Sequence, residues 1–187
     1  MPRHEMSIDP THSFIEFAVT YAMNTIIKGR FQEFSGTLVL DTDDPASSKV
    51  SVQINANSIN TGAERRDGHL KGDDFFSVET HDELRFESTS VDVVDDSRWQ
   101  VHGDLTILDT SRPVTLDTGY YGIVQDAMGD TRAGFVGETD INRSDWDMDW
   151  NAEQETGVLV SDRVRVSLYI SAIPVEDDAV EQDDGDA

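Results

Sequence analysis

The sequence predicts an all-β protein, an eight-stranded antiparallel barrel with short helical or irregular insertions. Apolar residues recur at every second position in several segments, as at Ile15, Phe17 and Val19. Side chains of a strand point alternately to its two faces, so each such segment is a strand with one apolar face. Polar turn sequences separate these segments, and no long helix is indicated. A closed or nearly closed sheet is the simplest way to bury many such faces.

The predicted strands begin after the turn sequence Asp9-Pro10, with Ile15, Phe17, Val19 and Tyr21 on one face of the first. The others are predicted at residues 28–41, 49–59, 84–93, 99–108, from 113 to about 120, 130–141 and 158–173. A barrel of about eight strands is wide enough either to be filled by side chains or to hold one slender ligand.

Two irregular stretches interrupt the strands, at residues 60–82 and 142–157. The first contains the charged segment 64–70, which is predicted to form a short helix, and the apolar pair Phe75-Phe76. Residues 1–7 are predicted to be a polar lead-in and residues 8–174 the barrel domain. Residues 175–187 are predicted to be a disordered acidic tail, because they contain too few apolar residues to fold.

The chain has a formal charge of -24, from 38 acidic and 14 basic residues. Such a surface repels nucleic acid and anionic lipid headgroups over long range, so neither is an expected electrostatic partner. The lysines are confined to Lys28, Lys49 and Lys71, and this acid-rich, lysine-poor composition is typical of a halophilic protein. There is no Cys, which excludes disulfides and thiolate chemistry.

Neither a secretory leader nor a membrane helix is indicated by the sequence. The first ten residues lack the apolar core of a signal peptide. No stretch approaches the roughly 18 apolar residues that a membrane-spanning helix requires. We therefore expect a cytoplasmic protein without stable membrane insertion, unless a leader has been removed, and the sequence leaves a homodimer open.

Asp9, His12 and Ser13 resemble a catalytic set, but adjacent residues of a strand point to opposite faces, so His12 and Ser13 could not share a proton. We interpret them as a turn and the entry to a strand. The five His are scattered, and a zinc site would have to be assembled from His12, His69 and His102 without any helical spacing. Neither a catalytic nor a zinc site is predicted.

Asp145, Asp147 and Asp149 have the spacing of the first half of a calcium-binding loop. That loop requires Gly after the third acid and Glu at its twelfth position, where this chain has Trp150 and Thr156. We interpret the segment as a solvated acidic turn and expect no metal or other cofactor.

Arg65, Arg66, Asp67 and His69 form a polar cluster with two interpretations. In one, Arg–carboxylate pairs hold the loop and the short helix. In the other, the cluster is a mouth that recognises the polar headgroup of a ligand, because Arg binds phosphate or carboxylate through two parallel hydrogen bonds.

The sequence resembles the YceI-like family, whose members are lipid- and polyisoprenoid-binding proteins with an extended lipocalin-like barrel. The resemblance extends from about residue 7 to 173 and is carried by short motifs in a specific order. They are Ile8-Asp9-Pro10, His12-Ser13, Ile15, Phe17 and Val19; Gly29, Phe31, Phe34 and Gly36; Ser58-Ile59 and Thr61; Arg66-Asp67, His69-Leu70 and Asp74-Phe75-Phe76; Gly103-Asp104-Leu105-Thr106; Arg112-Pro113-Val114; and Asn142-Arg143. The family commonly has His at the position of Tyr21 and Phe-Gly at Trp146-Asp147, and its members are commonly exported.

The resemblance implies that a long isoprenoid or acyl chain lies inside the barrel, and that the protein is not an enzyme but a carrier, store or sequestering protein for this lipid. The expected ligand-binding residues are Ile15, Phe17, Val19, Tyr21, Phe34, Leu38, Phe75, Phe76, Phe86, Leu105, Phe135 and Trp146. The alternative is a barrel filled by side chains that acts as a stress-related or protein-interaction module without lipid. Inward Phe and Leu side chains fit both descriptions.

The acidic composition predicts a fold that depends on salt. Circular dichroism in about 1 M salt, where the screening length is about 3 Å, should show β structure that loosens at about 10 mM salt, where it is about 30 Å. An equal melting temperature at both concentrations would contradict the halophilic interpretation.

Overall fold

A computed structural model describes residues 3–151 and 159–175. Within these residues the chain forms eleven strands and one α-helix. The strands are β1 (Arg3–Ile8), β2 (Phe14–Tyr21), β3 (Thr25–Phe31), β4 (Phe34–Asp41), β5 (Lys49–Asn55), β6 (Ile59–Asn60), β7 (Glu83–Asp95), β8 (Arg98–Ile107), β9 (Thr110–Gln125), β10 (Thr131–Asn142) and β11 (Arg163–Pro174). The helix α1 spans Glu64–Lys71, as predicted, and three single 3-10 turns lie at Pro45–Ser47, Ala56–Ser58 and Arg143–Trp146. No helix in the described part of the chain is long and apolar enough to cross a bilayer.

Eight strands close into a ring in the order β1-β4-β5-β7-β8-β9-β10-β11, and antiparallel pairing of β11 with β1 completes it. The prediction of an eight-stranded antiparallel barrel is therefore confirmed. Strand β1 pairs with residues 172–174 of β11, and β2 pairs with residues 165–169 on the same edge of β11. Strands β3 and β6 add to β2 and extend the sheet beyond the ring.

The first strand of the ring was not predicted. Residues 1–7 were expected to be a lead-in, but Arg3–Ile8 is paired with β4 on one edge and with β11 on the other. Met6 is 1% exposed, and Ile8 is also buried. The barrel therefore begins before residue 8. A short strand with two inward apolar side chains, Met6 and Ile8, is enough to close the ring.

Two predicted strands are divided in the structure. Residues 28–41 form β3 and β4, which are separated where the backbone N–H groups of Gln32 and Glu33 donate to Ser58 Oγ at 3.1 and 3.0 Å. The predicted strand at 49–59 ends at Asn55, before a 3-10 turn. The predicted last strand, at 158–173, begins only at Arg163, and before it Val160 forms an isolated bridge with Tyr21. Residue 158 and the predicted tail beyond residue 175 lie outside the described residues.

The turn that joins β1 to β2 is held by an ion-pair network. Arg132 Nη1 donates to Asp9 Oδ2 at 2.7 Å, and Arg132 Nε donates to Asp126 Oδ2 at 2.6 Å. His12 Nδ1 lies 2.7 Å from the same Asp9 oxygen. The hydrogen bond from Arg132, aided by His12 and by the backbone N–H of Thr11, lowers the pKa of Asp9 from 3.8 to about 2. The network fastens this turn to the β9–β10 hairpin.

Asp9→Asn should lower the melting temperature at pH 7. Because the pKa of Asp9 is depressed in the folded state, its contribution to stability is complete above about pH 4 and is lost as the pH falls through about 2. The difference in melting temperature between the parent and the variant should therefore shrink over that range. Glu79→Gln, at an exposed carboxylate, is the control and should leave the melting temperature unchanged at pH 7. A pH-independent difference for Asp9→Asn would contradict the ion-pair explanation.

Candidate functional site

The ring encloses a cavity of about 410 Å³ whose wall is almost entirely aliphatic and aromatic. This volume lies within the range of about 300–1,000 Å³ that is usual for sites of small organic ligands. Every strand of the ring except β1 contributes two or more lining residues, and β1 contributes Ile8. The barrel is therefore hollow along part of its interior.

The apolar face of β2 points into this cavity, as the alternation predicted: Ile15, Phe17, Val19 and Tyr21 all line it. The Phe17 ring lies directly over Gly29 on the neighbouring strand, where a Cβ atom would collide with it. Others of the expected ligand-binding residues also line the cavity, namely Leu38, Phe75, Phe76, Phe86, Leu105 and Phe135. Contact of these residues with a ligand remains a prediction.

Phe34 and Trp146, which were also expected to bind the ligand, are not among the lining residues. Trp146 is 1% exposed, and its Nε1 donates to the carbonyl oxygen of Leu105 at 3.1 Å. Phe34 is the first residue of β4 and packs, partly buried, against the same core. Both side chains pack with the same buried cluster, which also contains cavity-lining residues such as Ile15.

Several residues that line the cavity were not predicted from the sequence. Those of β11 follow a clear alternation that could have identified them: Val164, Val166, Leu168 and Ile170. Phe31 and Trp99 also line the cavity, and each belongs to a series of every-second residues that is buried in its strand. Met148 and Trp150 lie in the irregular segment, where no periodicity indicates which side chains point inward.

One end of the barrel, which we call the floor, contains a cluster of three aromatic rings, those of Trp99, Tyr120 and Phe135. The rings of Trp99 and Tyr120 stack with centroids 4.7 Å apart, and those of Tyr120 and Phe135 stack at 5.2 Å. Burial raises the pKa of Tyr120. Trp99 is 4% exposed, and its Nε1–H has no hydrogen-bond acceptor within the described residues.

The other end, which we call the mouth, is formed by α1 with residues 72–78 and by residues 143–151. The imidazole of His69 meets the Trp150 ring edge-on at 4.5 Å and the Phe75 ring at 5.2 Å. His69 Nε2 also lies 2.8 Å from Asp74 Oδ2. His69 and Tyr21 both line the cavity while remaining exposed to solvent, so the cavity approaches the surface here.

The residues of the polar cluster predicted at the mouth do not all line the cavity. Arg66 lines the cavity, but its Nε and Nη2 donate to Thr61 Oγ1 and to the Thr61 carbonyl at 2.7 and 2.8 Å. Asp67 Oδ1 accepts hydrogen bonds from Thr61 N and Oγ1. Arg65 is exposed and does not line the cavity. These contacts are those of a structural loop, and headgroup recognition by the cluster remains a prediction.

The residues that resembled a catalytic set lie in a turn. The hydroxyl of Ser13 donates to the carbonyl of Ser171 and accepts from its backbone N–H, at 3.2 and 3.0 Å. His12 faces Asp9 instead. Within residues 3–151 and 159–175, no group of three or more His, Asp or Glu side chains is placed to hold a metal ion.

Arg143 organises the irregular segment at the mouth. It is 6% exposed, and it donates four hydrogen bonds, all to backbone carbonyls. Nη1 reaches Met148 and Trp150 at 2.7 Å each, Nε reaches Ser161 at 3.0 Å, and Nη2 reaches Val160 at 3.3 Å. One guanidinium thus joins the irregular segment to residues 160 and 161 and holds Met148 and Trp150 where they line the cavity.

The fold and the site define a class of protein: a closed antiparallel barrel of lipocalin type with an apolar internal cavity. The sequence matches the YceI-like domain over residues 6–172. The chain belongs to the YceI-like family.

Relatives of similar length support this membership. A UPF0312 protein of Pseudomonas aeruginosa is 35% identical over 153 residues, which cover 80% of each chain. Protein YceI of Escherichia coli O157:H7 is 34% identical over the same length and coverage.

Solved structures share the fold. Burkholderia cenocepacia BcnA superposes with a TM-score of 0.77 at 22% identity, covering 88% of this chain and 98% of that protein. The YCEI protein of Campylobacter jejuni gives 0.72 at 24%, covering 84% and 90%. A polyisoprenoid binding domain from Saccharophagus degradans gives 0.67 at 19%, covering 91% and 98%.

Arg143→Lys should destabilise the protein by about 2–4 kcal/mol, because a lysine ammonium cannot replace the fork of hydrogen bonds to four carbonyls. The midpoint of urea unfolding measures this change. Arg163→Lys, at an exposed Arg paired with Asp140, is the matched control and should shift the midpoint much less. Equal shifts for the two variants would contradict the organising role of Arg143.

Proposed function

We propose that the barrel binds a long apolar chain, such as a polyisoprenoid, an isoprenoid quinone or a related lipid, without catalysing a reaction on it. The cavity of about 410 Å³ carries this proposal, because its wall consists of side chains that bind hydrocarbon and little else. The polyisoprenoid binding domain of Saccharophagus degradans, which has the same fold, supports a ligand of this kind.

The energetics favour a carrier or a buffer over a permanent store. Burial of each CH₂ group is worth about 0.8 kcal/mol relative to water. A lipid in a bilayer has already gained most of this free energy, so the net affinity of the barrel relative to the membrane is small. The length and shape of the cavity must then select the ligand.

The two arginines that line the cavity at the mouth have structural partners. Arg66 donates to Thr61, and Arg143 donates to four backbone carbonyls. A ligand therefore gains its affinity chiefly from apolar contact with the wall. The alternative of a barrel without ligand is less well supported, because a filled interior would not leave a cavity of this size.

Organic extraction of the purified protein, followed by mass spectrometry, should identify a long-chain apolar compound in stoichiometric amount. Val19→Trp places a large ring in the cavity and should abolish this lipid with little change in melting temperature. Thr20→Trp, at the next residue on the outer face of β2, is the matched control and should retain the lipid.

A filled barrel would respond differently. The Val19→Trp side chain would then overpack a core, at a cost of about 1–3 kcal/mol, and the parent would yield no lipid on extraction. A depressed melting temperature with a lipid-free parent would therefore contradict the proposal.

A further inference from the structure

The hairpin between β2 and β3 projects apolar side chains into solvent beside the mouth. Met23 is 93% exposed and Ile26 is 63% exposed. Ala22 and Met23 have φ values of 47° and 76°, in the left-handed region that glycine favours. Positive φ values are usual in tight hairpin turns, and here they leave the Met23 side chain pointing into solvent.

This hairpin is continuous with the cavity. Tyr21 and Ile27 lie on its inner face and line the cavity, while Met23 and Ile26 lie at its tip and on its outer face. The backbone N–H of Ala22 donates to the Leu159 carbonyl at 2.8 Å, and the backbone N–H of Leu159 donates to Oδ1 of Asn151, in the mouth, at 3.2 Å. The exposed tip therefore lies beside the entrance to the cavity.

The charge of the hairpin differs from that of the whole chain. From Phe17 to Gln32 there is no Asp or Glu, although the chain carries a formal charge of -24. Lys28 and Arg30 are exposed on the outer face of β3, and neither forms an ion pair within the described residues. Glu16 is the cross-strand neighbour of Arg30.

We propose that this hairpin docks on the surface of a lipid bilayer, with Met23 and Ile26 inserted among the headgroups. An apolar tip beside cations suits the interface of a bilayer, where apolar side chains are buried and Lys or Arg meet lipid phosphates. Docking there would bring the mouth to the surface from which an apolar ligand enters. The purpose of docking rests on the proposed function, but docking itself requires no ligand.

The β9–β10 hairpin provides an internal comparison. Met128 is 87% exposed at its turn, but Asp126 and Asp130 flank it. Arg132 pairs with Asp126, so its charge is engaged within the protein. The carboxylate of Asp130 would have to lose water on insertion, so an exposed Met alone does not define the proposed docking surface.

Vesicle flotation tests the proposal, with phosphatidylcholine vesicles in about 1 M salt to screen the net charge. The parent should float with the vesicles, and the double variant Met23→Ser, Ile26→Ser should partition about tenfold less, because two apolar side chains no longer enter the bilayer. Met128→Ser is the matched control and should partition like the parent. All three proteins should melt at similar temperatures, because the changed residues are exposed.

Three results would overturn the proposal: a parent that does not float, a double variant that floats as well as the parent, or an equal loss with Met128→Ser. A double variant that changes self-association in size-exclusion chromatography, without changing flotation, would identify a protein contact instead. Lipid extraction from the same parent protein separates the two proposals. Bound lipid without flotation overturns docking alone, and flotation without bound lipid overturns the cavity function alone.

Discussion

Closure of the sheet along β11 is the constraint on which the rest of the structure depends. One edge of β11 pairs with β10, and its other edge is long enough to pair first with β1 and then with β2. The turn between β1 and β2 lets the chain leave the ring and return to the same edge. Arg132, in the β9–β10 hairpin, donates a hydrogen bond to Asp9 and so holds that turn against the hairpin. The number of strands in the ring, and therefore the width of its interior, follows from this shared edge.

The interior is hollow because aromatic side chains cluster at its two ends, whereas shorter aliphatic side chains line its middle. Aromatic clusters lie at the floor, around Trp99, and at the mouth, around Trp150. Between them the wall consists mostly of Val, Leu and Ile, which are too short to meet across the ring. Gly103 lets the Phe86 ring lie flat against the wall, where a Cβ atom would collide with it. The same inward alternation that fills a narrow barrel thus lines a tunnel in this one.

Charge is distributed unevenly around the entrance to this interior. Backbone carbonyl oxygens accept hydrogen bonds from the buried guanidinium of Arg143, whose pKa is lowered by burial. Carboxylates such as Asp74 and Asp145 lie in the segments that form the mouth, and none lies from Phe17 to Gln32 in the hairpin beside it.

The sequence by itself determined the local features: the shared inward face of Ile15, Phe17, Val19 and Tyr21, the short helix after residue 63, and the eight-stranded class of barrel. These follow from alternation and composition, which neighbouring residues specify. Only the tertiary structure showed that Met6 belongs to the ring, that Trp146 turns into the packed layer, and that Trp150 faces the cavity. It also decided that the barrel is hollow. Alternation states which side chains point inward, but the distance across the ring depends on strand pairing and register, which long-range contacts set.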